Sequence, residues 1–514
     1  MPPLEGVLLR LREGLALVFA GPEPVGKTRS RDLRITLAFA AAAGAWSLAY
    51  KLKSFYGLGT TSDLYETTQL ATTWLHGRYL EDNCFGSILS IHTYLFTPVL
   101  AVLAWPLGAP GLLAAAALAA AAAFVATVRI LQLLSVPLGA ALAYASVVSF
   151  MPLTVNFYQD STYGFHVELL LPAMGLWLMY FALRRSWTGS LLMGLAIVSV
   201  KEDAPLVAIA VGAIVACEDA LRSPSIRAAG AAGARRGAVN FPALALVALG
   251  CAAVPVLLHI LKLNPPSGYS PGSFERIRGA DGIMIRNPAS LLTFVVGHFA
   301  AWFRSPSMSV WISLAIPATL GLFFLRPHLI LVGLPLTVTS WLMHDDLLWA
   351  PRFANALTFF EVVGVLAFAS ACAVTRRLIS AGIPGRVAAV AAAVLAAFAV
   401  NRGLRAQMNA VPDAREVYTL TPIVAYDAGD RARADVLFAV YRRDSNPQEP
   451  VIASPYLFRY AHDRNLYWFD RLNDRPEPVW ILWDGVDLPA PLEAAHYALV
   501  GQNGRFSLYK KKGG

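Results

Sequence analysis

The sequence is poor in charge and in cysteine, and each shortage narrows what the chain can be. Only 15% of its 514 residues are Asp, Glu, Lys or Arg, where a soluble protein of ordinary composition carries about 25%. Hydrophobic residues make up 56%, and many windows of about 18–20 residues are apolar, the length a helix needs to cross hydrocarbon. A water-soluble globular fold is thereby excluded. Of the 4 cysteines, Cys217, Cys251 and Cys372 fall within or beside apolar segments, Cys84 alone lies in a polar loop, and none follows Asn401. The C-terminal region therefore has no disulfide framework, and cysteine gives no reading of the redox compartment. P-loop, dinucleotide fingerprint and paired-cysteine metal motif are all missing. So are two similar halves with broken helices, which counts against common transporter designs. The polar stretch of about 32 residues before the first span lacks the charged, apolar and cleavable regions of a signal peptide, so that span is expected to be retained.

What the chain does have is an ordered excess of basic residues. The formal net charge of +9 would suit nucleic acid, but its distribution does not. Arg10, Arg12, Lys27, Arg29, Arg31 and Arg34 precede the first span; Arg184-Arg185, Arg222 to Arg236 and Arg376-Arg377 sit at later segment ends. Basic loops stay cytoplasmic in membrane proteins, so the charge reads as orientation and no nucleic-acid partner is expected.

Apolar runs place spans near Arg34–Tyr50, Leu112–Leu131, Leu138–Val155, Val167–Leu183, Ser190–Val200, Ala204–Ala216, Phe241–Leu261, Val310–Leu325, Leu329–Met343, Ala354–Val374 and Val387–Val400. Thr93–Leu107 carries Pro98 and Pro106 and is too short to cross, so it is expected to lie along the interface, as is Leu291–Phe303. Counting Thr93–Leu107 as a crossing would put Arg184-Arg185 outside. The result is an all-α polytopic membrane bundle of about eleven spans plus juxtamembrane helices. Its limits are a cytoplasmic segment 1–33, a transmembrane part 34–400 and a tail 401–514. Lys51 to Ile91 and Asn264 to Asn287 form outer loops, while Glu218 to Ala238 is a basic, Ala/Gly-rich cytoplasmic linker.

The tail changes character. Val451-Ile452-Ala453-Ser454 and Val479 to Trp483 read as buried strands, and Asp430 to Arg442 as a helix. Tyr497 to Val500 and Arg505 to Tyr509 flank Gln502-Asn503-Gly504, a strong hairpin signal. A small extracytoplasmic α/β domain of roughly 100 residues is expected.

Ionisable residues are rare enough to stand out, and a set of them falls at segment ends that this topology puts outside. Lys201-Glu202-Asp203 interrupts an apolar stretch, where misplaced charge costs roughly 2.5–3.5 kcal/mol per group. Lys201 could neutralise a phosphate leaving group, with Glu202 or Asp203 fixing its position; an ion pair closing a helical hairpin is the equal alternative. Asp63, with Glu66 one turn on, follows the first span where lipid and water meet, and a carboxylate there could take a proton from an attacking hydroxyl. A solvated loop acid or helix cap reads as well. Asp160, His166 and Glu168 precede a span; they could form an oxygen/nitrogen metal site, although their spacing matches no recognised signature. Capping suffices for Asp160. His92 opens the short interfacial segment. His344-Asp345-Asp346 is followed by Arg352, an arginine on the disfavoured side that calls for an anionic partner, either internal or a ligand phosphate.

Taken together these islands resemble the integral membrane proteins known as domain of unknown function 2079, grouped with the GT-C glycosyltransferases. The resemblance rests on Asp63-Leu64 with Gln69, His76-Gly77-Arg78, His92 to Pro98, Phe165-His166-Val167-Glu168, Lys201-Glu202-Asp203 and the tail segment Val451 to Phe469. It implies a GT-C-like fold in a bacterial inner membrane and a polyprenyl-phosphate-linked sugar donor. It further implies Asp63 as base or metal ligand with Glu66 as understudy, and a second acidic position at Asp160 or Glu168. His92, Asp160, His166, Glu168, Lys201, Glu202, Asp203, His344, Asp345 and Arg352 become candidate substrate contacts. Some GT-C enzymes use a divalent cation such as Mg or Mn, for which Asp63, Asp160 and Glu168 are the candidates. The expected activity is sugar transfer to an extracytoplasmic acceptor. The alternatives are a transporter or lipid-binding protein using the same polar pocket, or an inactive GT-C-like scaffold.

Overall fold

The structure is a computed structural model that describes residues 30–60, 62–82, 86–90, 92–159, 164–228, 239–263, 354–380, 382–388, 414–422, 426–462, 464–467, 477–488 and 496–513, with a few isolated positions between them. The expected segments Asn264–Asn287, Leu291–Phe303, Val310–Leu325 and Leu329–Met343 lie outside the described residues, as do most of Val387–Val400 and the sites Asp160, His344, Asp345 and Arg352.

Helix α1 (Ser30–Tyr56) is followed by α2 (Ser62–Thr72), a two-stranded ribbon β1 (Glu81–Asp82) and β2 (Gly86–Ser87), and a 3-10 turn leading into α3 (Ala101–Leu107). Then come α4 (Ala109–Leu133), α5 (Leu138–Ser149), α6 (Pro152–Tyr158), α7 (Leu171–Leu183), α8 (Trp187–Val198), α9 (Pro205–Ala228), α10 (Phe241–Leu263) and α11 (Ala354–Ser380). Three described helices are long and apolar enough to cross a membrane: α1, α4 and the Glu361–Ser380 part of α11. α1 packs on α4, α4 on α7, and α7 on α8 and α11, while α9 pairs with α10.

The expected span Leu138–Val155 is not one helix. α5 ends at Ser149 and α6 starts at Pro152, with a 63° bend between them. Proline at the first turn lacks an N–H to offer the preceding turn and has φ preset for a new helix, so it starts α6 rather than continuing α5. Hydropathy runs across the break and hides it. α1 also extends beyond its expected end to Tyr56, and the polar loop after it contains α2.

The Thr93–Leu107 segment is helical only from Thr97, through a 3-10 turn into α3. Val99, Val102 and Trp105, spaced by three, are exposed at 57%, 77% and 74%, while Leu100, Ala101 and Ala104 are buried. An apolar stripe facing outward beside a buried one suits a helix lying against lipid, with Trp105 as an interfacial anchor. The turn into α4 is tight: a Cβ on Gly111 would lie 2.1 Å from the Leu103 carbonyl oxygen.

After α12 (Ala414–Tyr418) and α13 (Ala428–Asp444) comes a five-stranded sheet of order β4-β3-β5-β7-β6. Its strands are β3 (Pro450–Ala453), β4 (Asn465–Tyr467), β5 (Trp480–Asp484), β6 (Tyr497–Asn503) and β7 (Phe506–Lys511). β3 runs parallel to β4 and β5, and β7 antiparallel to β5 and β6. Gly504 turns the β6–β7 hairpin at φ +63°, open to glycine at little cost. α13 packs its buried Ala434, Leu437, Phe438 and Tyr441 on this sheet. The described protein is thus mostly helical, with membrane-length helices, a two-stranded ribbon and one five-stranded sheet.

Sheet and bundle share a continuous apolar core. Tyr65 of α2 meets the rings of Phe458 and His462 at 5.7 and 5.9 Å, and Gln69 donates to the Leu466 carbonyl at 3.2 Å. α2 is therefore held from both sides, and with it Asp63.

Candidate functional site

Gly164, at φ +76°, reverses the chain after α6 and is pinned by the buried Lys51 ammonium, which donates to its carbonyl oxygen at 2.6 Å. A Cβ there would lie 3.2 Å from both Leu64 and Thr60. His166 then leaves in extended conformation (φ −129°, ψ 151°), and Glu168 lies on the 3-10 turn that opens α7. Across the bundle, α8 ends at Val198 and Pro205 starts α9. The Ala204 N–H returns to the Lys201 carbonyl and the Leu206 N–H to that of Asp203, so the charged triplet forms a turn outside both helices. α8 rises only about 18 Å at 1.5 Å per residue, against about 30 Å of hydrocarbon. The turn at its end is nonetheless largely withdrawn from solvent, with the Lys201 side chain 16% and the Glu202 side chain 3% exposed, and forms a recess.

Two chains of polar contacts meet in that recess. Asp63 Oδ2 faces His166 Nδ1 at 3.6 Å, each side chain about 30% exposed (31% and 29%). Lys201 Nζ donates to Glu168 Oε1 at 2.8 Å, both 16% exposed, and the Tyr94 hydroxyl donates to the same oxygen at 2.9 Å. Glu202 turns the other way, contacting His92 Nδ1 at 3.0 Å and accepting from the Thr93 backbone N–H at 3.2 Å. Asp63, His92, His166, Glu168, Lys201 and Glu202 are thereby brought to one region from four separate stretches of chain. Asp203, half-buried, completes the triplet, and half-buried Glu66 lies a turn along α2 from Asp63.

One sequence expectation changes. Glu202 and Asp203 were the expected anchors of Lys201, but its direct partner is Glu168, 33 residues away. Burial acts against charge on Lys201, but the carboxylates of Glu168, Asp203 and Glu202 outweigh it and hold the ammonium above its usual range. Burial likewise opposes charge on Glu202, yet His92 and Lys201 bring its carboxyl down to about 2. Asp203 is pushed up to about 6 by burial, Lys201 opposing and the Glu202 and Glu168 charges adding.

Sequence reasoning passed over Tyr94 and Lys51. The signal for Tyr94 was its place two residues after His92 in an extended stretch, where alternate side chains share a side. Their rings lie 4.9 Å apart. Nothing in the spacing points from Lys51 to Gly164.

Among the described residues no group of three or more His, Cys, Asp or Glu side chains is placed to hold a metal ion. Of the three metal candidates, Glu168 has one oxygen taken by Lys201 and Tyr94, Asp63 faces an imidazole, and Asp160 lies outside the described residues. The Lys201 ammonium on Glu168 Oε1 opposes a cation at that oxygen.

The fold defines a mostly helical membrane protein with a largely buried ionic cluster that joins α2, the start of α7 and the turn before α9. Residues 62–414 match the family described as "Predicted membrane protein (DUF2079)", and the chain belongs to it. No curated protein matches the sequence. Among solved structures, the chain is similar to ArnT from Cupriavidus metallidurans bound to undecaprenyl phosphate. Identity there is 14% and the TM-score 0.43, covering 94% of this chain and 98% of that one. The apo state of the same protein gives 13%, a TM-score of 0.43, and 93% and 98%. The Archaeoglobus fulgidus oligosaccharyltransferase in complex with Zn and sulfate gives 14%, 0.42, 84% and 62%.

Proposed function

We propose that the protein is a GT-C-like membrane glycosyltransferase that moves a sugar from a polyprenyl-phosphate donor to an acceptor on the extracytoplasmic side of a bacterial inner membrane. The observation that supports this reading is that Asp63, 31% exposed, contacts His166, two residues before the Glu168 that holds Lys201. Asp63 takes the proton of the acceptor hydroxyl. The acceptor oxygen bonds to the anomeric carbon, and the bond from that carbon to the phosphate oxygen breaks, its electron pair leaving with the lipid phosphate. One displacement by one base inverts the anomeric centre. His166 orients the Asp63 carboxylate; Lys201, fixed by Glu168, faces the charge that develops on the leaving phosphate. His92 and Glu202 brace the far wall. In this reading Arg352, His344 and Asp345 complete the phosphate pocket, Asp160 adjoins it, and the N-terminus is cytoplasmic.

A second reading is favoured by the closed Lys201–Glu168 pair: a lipid-binding or scaffold protein in which that pair is structural. Assay of sugar transfer from radiolabelled polyprenyl-phosphate sugars in membranes separates the two. Asp63→Asn and Lys201→Ala are each expected to lower transfer about 100-fold or more. Undiminished transfer in both variants overturns the assigned roles.

A further inference from the structure

We infer that the helical bundle contains a second site, built on Glu361, that holds a single monovalent cation of the sodium class. A small cavity of about 30 Å³, room for one water-sized body, lies between α1, α4, α5, α6 and α11 and shares no lining residue with the Lys201 site. Glu361 opens the most apolar part of α11, is 3% exposed, and lines this cavity. Its Oε2 is buried without a hydrogen-bond partner, and among the described residues no Lys, Arg or His forms an ion pair with it. Three more buried oxygens on the same lining lack partners: Thr154 Oγ1, Tyr158 Oη and Gln159 Oε1. The Gln159 amide nitrogen donates to Ser47, which leaves its carbonyl oxygen as the end turned to the cavity.

The donor set decides the ligand. A buried carboxylate in a low-dielectric bundle needs a neutralising partner, and such a residue in a membrane helix marks an ion or proton site. A bare proton satisfies the carboxyl but leaves the Gln159 carbonyl and two hydroxyl oxygens unmatched. A metal ion uses them all, since carboxylate, amide carbonyl and hydroxyl oxygens are hard donors. Among the described residues Glu361 is the one carboxylate that lines the cavity, so one positive charge balances it and a divalent ion does not. The break between α5 and α6 adds to this. Val148 and Ser149 bring the C-terminal end of α5, the negative end of its dipole, to the cavity wall. Interrupted helices supply cation ligands in this way elsewhere in membranes.

Binding of ²²Na⁺ to the purified full-length protein, with apparent Tm followed in NaCl and in choline chloride at equal ionic strength and fixed pH, tests the site. Saturable binding of about one ion per chain is expected, with a Tm that rises and saturates with sodium but not choline. Glu361→Gln is expected to abolish binding, and Thr154→Val to weaken it at least five-fold. Thr154→Val together with the wild-type titration keeps the test decisive if Glu361→Gln does not fold. No saturable binding, binding retained in a folded Glu361→Gln protein, or identical Tm in sodium and choline each overturns the inference and leaves a hydrated, protonated cavity.

Discussion

Lys201 and Glu168 meet at 2.8 Å across 33 residues of sequence, joining the turn before α9 to the start of α7. Both are largely withdrawn from solvent, so neither charge is well solvated alone. Glu168 also carries the Tyr94 hydroxyl, which makes this pair the junction between the interfacial segment, α7 and the charged turn. Lys201→Met or Glu168→Gln alone leaves a partly buried charge without its partner and should cost on the order of 3 kcal/mol. The double variant should lose clearly less than the sum of the two. Thermal unfolding of the four proteins in one detergent measures that coupling, and strict additivity counts against a direct pair.

The charged turn should also make stability depend on pH. Asp203, facing Lys201, Glu202, Glu168 and His92, is pushed up to about 6 by burial, above its ordinary 3.8. Its contribution is therefore full below about 3.8 and is lost as pH rises through about 6. Glu202 works in the opposite sense, contributing above 4.5 and losing that contribution as pH falls toward 2. Asp203→Asn should accordingly gain stability relative to the wild type on going from pH 4 to pH 7.5. Tm differences at those two values provide the check, and a pH-independent difference contradicts the assignment.

Gly164 is the hinge on which His166 is aimed. Any side chain there meets Leu64 and Thr60 at 3.2 Å and must adopt φ near +76°. Gly164→Ala should lose about 1–2 kcal/mol, the cost of the left-handed region to an L-residue. Because Leu64 adjoins Asp63, sugar transfer should fall more steeply than the amount of folded protein in membranes. Comparing specific activity with folded yield separates the two effects.

The parts of this structure written in local pattern were legible in the sequence. The triplet 201–203 stood out because charge within apolar sequence is costly, and the Asn503-Gly504 hairpin because its turn chemistry is local. That the segment before α4 is too short to cross was legible from its two prolines: it is helical only from Thr97 to Leu107. What was not legible depends on tertiary approach or hides beneath uniform hydropathy. The partner of Lys201 is set by how α7 packs on α8, which no spacing encodes. The α5–α6 bend is invisible because apolar residues continue through it, although Pro152 marks the new start. Glu361 went unmarked because a single acid near a helix start reads as ordinary until its surroundings are known.

The orientation we propose from the arginine distribution has its own test. In a cysteine-free background, Gln448→Cys on the exposed edge of the C-terminal region should react with a membrane-impermeant maleimide in intact cells. Thr188→Cys, exposed beside Arg185 at the start of α8, should react only after permeabilisation. The reverse pattern would place the recess on the cytoplasmic side.

The most direct measurement of the central claim is turnover by the purified protein. Incubation with a panel of polyprenyl-phosphate sugars and acceptors, followed by mass spectrometry of the released lipid phosphate, should show one donor consumed by the wild type. Asp63→Asn should slow that release about 100-fold or more while retaining the wild-type Tm. A panel in which no donor is consumed, or an Asp63→Asn protein that turns over like the wild type, contradicts the account.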